Sequence, residues 1–157
     1  MNLLSEHFTL ETVRLDVDVS SRKRLFEECA LLFESAYGIP HDEAFEAIFE
    51  REKLGSTNLG EGCGIPHGRI DGLAAPAVVF IRLKTPLACD SEEPLRLIIS
   101  ILAPNVETGA KAHLALLRET AVLLQDASCR RALSEAPDAE TVCRFIHGWE
   151  PPADLHD

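Results

Sequence analysis

The chain has 157 residues, 46% of them hydrophobic and 26% charged, values that suit one globular domain with a sizeable core. A net charge of −11 argues against binding to nucleic acid or to an anionic membrane surface and suits a partner with a basic patch. The five cysteines form no C-x-x-C pair, MNLLSEHFTLETVRL lacks the features of a signal peptide, and no run of about 18 apolar residues occurs, so a cytoplasmic protein without structural disulfides or membrane insertion is expected.

Val13 to Val19 (VRLDVDV) alternates apolar and polar residues, the pattern of a half-buried strand. Ser20-Ser21 offers an N-cap to a helix whose apolar positions Leu25, Cys29, Leu32, Phe33 and Ala36 recur at helical spacing, with Gly38 as its stop. A second helix is predicted from about His41 to Lys53, with Ala44, Phe45, Ile48 and Phe49 on its apolar face and Gly55 at its end. A glycine-rich loop is expected over about Ser56 to Gly72. Val78 to Leu83 (VVFIRL) and Leu95 to Leu102 (LRLIISIL) read as largely buried strands. Three helices follow, at Glu107–Gln125, Asp126–Ala136 and Asp138–His147. The tail from about residue 148, WEPPADLHD, is expected to be loosely held. Strands interleaved with helices, without regular strand–helix alternation, predict a single α/β domain spanning residues 1–157 with a mixed sheet flanked by helices.

The chemistry concentrates in Arg51 to Arg69, REKLGSTNLGEGCGIPHGR, which holds five of the nine glycines. Backbone freed from normal φ limits can approach a ligand closely, and successive N–H groups can cradle an anion. The spacing matches neither a Walker A loop, since no G-K-[ST] follows, nor a dinucleotide-binding fingerprint. His67 sits between Pro66 and Gly68. An imidazole is mostly neutral at pH 7 with a nucleophilic ring nitrogen, so it could serve as a base, a metal ligand or a covalent acceptor. Arg51 and Arg69 flank the segment with guanidiniums suited to phosphate oxygens. His113 lies on the predicted helix Glu107–Gln125, one residue before Leu114, where it could be packed or part of a site. Cys63 and His67 are four apart, but Gly64-Ile65-Pro66 between them forbids a helical face and no second ligand pair exists, so no zinc site is expected. No Cys-His-Asn signature marks Cys63 as a nucleophile.

The string REKLGSTNLGEGCGIPHGR closely resembles the active-site segment of phosphotransferase-system (PTS) IIA proteins of the fructose–mannitol–nitrogen type, and most closely the nitrogen-regulatory branch. LKTPLACD, and LRLIISILAP followed by KAHLALL, resemble later segments of the same family, so that the likeness covers roughly Leu3 to Ile146. The resemblance implies the mannitol/fructose IIA fold and a phosphotransferase component that passes through a phosphohistidine. It assigns the acceptor role to His67, attended by His113 and Arg51, with no cofactor and no metal. The implied donor is the phosphocarrier HPr or its nitrogen paralogue, and the implied role is to regulate target proteins according to phosphorylation state. The alternative is a sugar-specific IIA that hands phosphate to a IIB domain. Cys63, where relatives usually carry an aliphatic residue, and Glu61, expected to face solvent, depart from the family pattern.

Overall fold

A computed structural model describes residues 1–89 and 92–156, and of Thr108 the backbone only. Asp90, the last residue of LKTPLACD, and Asp157, the last of the tail, therefore lie outside the described residues. In chain order the elements are β1 (Val13–Val17), α1 (Arg22–Tyr37), α2 (His41–Glu52), β2 (Asn58–Gly60), β3 (Cys63–Gly64), β4 (His67–Ile70), β5 (Ala77–Cys89), β6 (Glu92–Pro104), α3 (Glu107–Gln125), α4 (Ala127–Glu135) and α5 (Ala139–Gly148). A short 3₁₀ turn at Ser5–His7 precedes them.

The six strands form one sheet in the order β1-β5-β6-β3-β2, with β4 also paired to β6. β5 and β6 are antiparallel, β1 runs parallel to β5, and both β3 and β4 run parallel to β6. This is the mixed sheet expected from the order of elements. Helices cover both faces. Val78, Phe80, Leu97, Ile99 and Ile101 turn to the layer of α3, α4 and α5. Ala77, Val79, Ile81, Ile98 and Leu102 turn to the layer of α1 and α2. With both sides covered, β5 and β6 need apolar residues at every position, which is why they read as unbroken runs. Both strands extend beyond the predicted bounds because, past a shift in register, Leu87 pairs with Leu95 and Cys89 with Glu92.

Local signals set the helix ends. The Ser21 hydroxyl accepts from Arg24 N–H at 3.0 Å, and Gly38 takes φ 75° at the end of α1. Asp126 and Asp138 cap α4 and α5 in the same way, at 2.8 Å to Ser128 N–H and Thr141 N–H. β1 ends at Val17, earlier than expected, after Asp16 enters the left-handed region at φ 55° and breaks the register with β5. The buried Arg82 guanidinium donates to the Leu133, Ser134 and Ala136 carbonyls at 2.8–3.2 Å, fastening the end of α4 to the sheet.

The main difference from expectation lies at Ser56 to Gly72. It is not a loop but a hairpin, β2–β3, followed by β4. The turn runs through Gly60, Glu61 and Gly62, all at positive φ. β3 pairs with Leu97 and Ile98, and β4 with Ile101 to Pro104, so the two lie end to end along one edge of β6. Glycine has no side chain to display the alternation of a strand, which hid these short pairings. Glu61 does face outward, its side chain 67% exposed and 4.0 Å from Arg130.

One contact fixes α2 against β4. A Cβ placed on Gly68 would lie 2.7 Å from the Ala47 carbonyl oxygen and 3.0 Å from Ala47 Cβ. Backbone and helix meet with no room between them. Gly68→Ala is expected to lower stability by about 1–3 kcal/mol through overpacking, read in urea unfolding. An equivalent Gly72→Ala change, at φ 83° but with open space around it, tests backbone strain without the clash and is expected to cost less.

Candidate functional site

The site is built at the break between β3 and β4. The Pro66 carbonyl accepts from Ile101 N–H at 3.1 Å and from the fully buried Ser100 hydroxyl at 2.7 Å. Ile65 N–H donates to the Thr57 carbonyl at 3.1 Å. The kink is thus held from both sides, and His67 opens β4 immediately after it. His67 Nδ1 lies 2.7 Å from the Ile65 carbonyl oxygen. A carbonyl can only accept, so Nδ1 carries the proton and Nε2 keeps its lone pair.

Alternation along β4 sets the rest. Ile70, like the Ala47 contact of Gly68, belongs to the α1–α2 side, whereas Cys63 and Ile65 belong to the α3 side. His67 and Arg69, two apart, therefore share the face toward α3. His113 on α3 meets His67 there, with ring centroids 5.7 Å apart and planes inclined at 52°. The two histidines, 46 positions apart in sequence (113 − 67), line one cleft of about 420 Å³. Arg51 and Leu54 reach it from the end of α2, and Arg69 from β4. Arg51 Nη1 also donates to the Gly55 carbonyl at 2.9 Å, so the same guanidinium steadies the chain leaving α2.

Both imidazoles are held neutral. Burial is the main cause for His67, whose pKa lies below the ordinary value; the Arg51 charge adds to this, while the Ile65 carbonyl and Glu52 oppose it. His113 is pushed down to about 4 by burial, with His67 and Arg69 contributing. Its Nδ1 is buried without a hydrogen-bond partner among the described residues. A neutral nucleophilic nitrogen, a second neutral imidazole and two guanidiniums around one open space can receive an anionic electrophile.

All three residues singled out from the sequence, His67, His113 and Arg51, thus line the cleft. Arg69, noted as a flanking cation but left out of the candidate set, lines it as well. Reading Ser56 to Gly72 as a loop concealed that Arg69 is two strand positions from His67. Ser100 was also missed, although it is the one hydroxyl in LRLIISIL. Cys63 packs in the core, its thiol pushed up to about 11 by burial, so no thiolate nucleophile is at hand near pH 7. Among the described residues no three His, Cys, Asp or Glu side chains converge to hold a metal ion, and no helix is long and apolar enough to cross a membrane.

A six-stranded mixed sheet between two helical layers is the fold of the PTS IIA proteins. The chain belongs to the family described as "Phosphoenolpyruvate-dependent sugar phosphotransferase system, EIIA 2", which matches residues 6–148. It is similar to the nitrogen regulatory protein of Escherichia coli K12, 36% identical over 154 residues that cover 96% of this chain and 93% of the relative. The crystal structure of nitrogen regulatory protein IIA-Ntr from Neisseria meningitidis superposes with a TM-score of 0.83 at 39% identity, covering 92% of this chain and 99% of that one. IIA mannitol from Escherichia coli, 22% identical, shares the fold with a TM-score of 0.74 over 88% of this chain and 97% of its own.

The depressed pKa of His113 has a sign that can be checked. The unfolded chain takes up a proton near pH 6.5, whereas the folded protein does so only near 4. Stability from this group is complete above about pH 6.5 and is lost as pH falls through the interval below it. Between pH 7 and 4.5 the protein should lose about 1–2 kcal/mol more than His113→Gln, measured by urea unfolding at each pH. Equal losses would mean that His113 is not held neutral.

Proposed function

We propose that His67 accepts a phosphoryl group on Nε2 from a phosphohistidine carrier, HPr or its nitrogen paralogue, and that its phosphorylation state regulates partner proteins. The observation that carries this reading is the 2.7 Å hydrogen bond from Nδ1 to the Ile65 carbonyl, which leaves Nε2 as the nucleophile in a cleft lined by His113, Arg51 and Arg69.

Transfer needs little covalent work from the protein. The Nε2 lone pair forms a bond to phosphorus as the carrier's P–N bond breaks, and that electron pair returns to the carrier's ring. Nδ1 keeps its proton, so the His67 ring becomes cationic while bonded to the phosphoryl group. Arg51 and Arg69 are suited to balance the negative charge spread over the phosphoryl oxygens. His113, neutral at pH 7, can donate a hydrogen bond to the same oxygens without adding a net charge that would repel an approaching imidazole. A bound phosphate brings up to about two negative charges to the cleft mouth, enough to strengthen or abolish a protein contact. Leu54, in the turn after α2, and Leu114, next to His113 on α3, are 83% and 55% exposed and would feel that change at an interface.

The regulatory role is favoured by similarity at 36–39% identity to proteins named for nitrogen regulation. A sugar-specific role has its own support. The chain is 28% identical to the fructose-specific EIIABC component of Bacillus subtilis, of which it covers 23%, and the E. coli mannitol IIA has been solved in complex with its phosphorylated IIB.

Incubation with enzyme I, the carrier and phosphoenolpyruvate is expected to add one acid-labile phosphoryl group, detected by intact mass. His67→Ala should add none. His113→Ala should fold and accept about ten- to a hundredfold more slowly, and Arg51→Gln about tenfold. Undiminished labelling of His67→Ala would refute the acceptor assignment. Onward transfer to a fructose or mannitol IIB would favour the sugar-specific reading over the regulator.

A further inference from the structure

Glu52, the last residue of α2, is buried in a place that burial alone does not explain. Its side chain is 7% exposed, and a carboxylate so enclosed needs firm partners. It has two. Arg22 of α1 donates from Nη2 at 2.7 Å, and the Thr57 hydroxyl donates to the other carboxylate oxygen. The Thr57 carbonyl then accepts from Ile65 N–H at 3.1 Å, and the Ile65 carbonyl accepts from His67 Nδ1 at 2.7 Å. Four hydrogen bonds, joined by covalent steps through Thr57 and through Ile65, thus run from α1, through the end of α2, to the ring nitrogen that must keep its proton.

We propose that Glu52 is a positioning residue for His67: through Thr57 it sets the peptide that orients the ring, and its fixed negative charge balances the positive charge that the ring acquires when Nε2 bonds to phosphorus. This rests on the reading of His67 as acceptor. A buried ion pair that only ties α1 to α2 would not need to lie where its charge is felt at the imidazole.

The other charges around His67 sharpen the assignment. From α2 come Arg51, Glu50 and Glu52; from α3, the neutral His113; from β4 itself, Arg69. Arg51 disfavours a cationic His67 ring, while Arg69 acts on His113. Glu50 is exposed and engaged by Lys53 at 3.0 Å. Glu52 is therefore the buried, immobilised anion of the set, and it acts on His67 in the direction opposite to Arg51. The cationic ring formed on phosphorylation is the species such an anion favours, because Nδ1–H stays in place and no proton leaves to relieve the charge. The same balance operates in reverse when the phosphoryl group moves on.

The test uses Glu52→Gln and Thr57→Val in the full chain. Glu52→Gln keeps shape but removes charge. In the unphosphorylated protein, the imidazole titration of His67 followed by NMR should move to lower pH by about half a unit or more, since the anion that favours its charged form is gone. Phosphoryl acceptance should slow about tenfold in kcat with the carrier KM unchanged. Thr57→Val keeps the charge but releases the link, and the Nδ1–H tautomer should give way to a mixture. A wild-type His67 titration in Glu52→Gln overturns the electrostatic role whatever the rate, and a wild-type tautomer in Thr57→Val overturns the positioning role. Thr57→Val decides if Glu52→Gln fails to fold. The NMR readouts require no phosphoryl donor, so a wild-type protein that accepts no phosphate would refute the acceptor reading and leave this link to be judged separately.

Discussion

Helix α2 crosses β4 where there is no space for a side chain, and the geometry of the site depends on that crossing. With Gly68 against the Ala47 carbonyl, the last turn of α2 is carried over β4. The contact lies on the face of the strand that Ile70 also presents to α1 and α2. It also delivers Arg51, Glu52 and Leu54 to one side of His67, while α3 brings His113 to the other. A longer side chain at position 68 would push the helix away from the strand. The glycines of this segment therefore do different things. Those of the hairpin turn adopt left-handed backbone, whereas Gly68 permits close contact between elements.

His67 gains from standing on a strand instead of a free loop. A pairing to β6 on one side of the kink, the Ser100 hydroxyl on Pro66 and the Thr57 carbonyl on Ile65 remove the freedom that a loop imidazole would have. The ring is then fixed by its own hydrogen bond to Ile65. Orientation of this kind replaces entropy that a transfer reaction would otherwise have to supply at each encounter. Burial keeps both imidazoles neutral, and the anion at Glu52 partly offsets what burial and Arg51 do to the charged form of His67. An acidic chain of net charge −11 thus carries a local balance in which Arg51, Arg69 and an exposed Glu50 line the cleft and the buried Glu52 carboxylate stands behind it.

Much of the fold could be read directly. Ser21, Gly38, Asp126 and Asp138 are local signals whose capping geometry needs no tertiary context, and the helices they bound were expected within a few residues. β5 and β6 were legible as continuous apolar runs because both faces of the sheet are covered. The segment Ser56 to Gly72 misled because glycine shows no alternation and because its pairing is with β6, some thirty residues later. His67 stood out through its Pro and Gly neighbours. Its company with His113 and Arg51 came from family resemblance, and only the folded chain gives the contact a distance. Arg69 becomes readable once β4 is known to be a strand. Glu52 and Thr57 could not be found from spacing, since their roles arise from contacts with Arg22 and Ile65 that only the tertiary structure creates.

The central claim is that the Ile65 carbonyl assigns the two nitrogens of His67 to different tasks. The direct measurement is a long-range proton–nitrogen correlation of the His67 ring near pH 7, followed by phosphorus–nitrogen coupling in the phosphorylated protein. The account predicts a proton on Nδ1 before transfer and phosphorus on Nε2 after it. A proton on Nε2 before transfer, or phosphorus on Nδ1 after it, would contradict it.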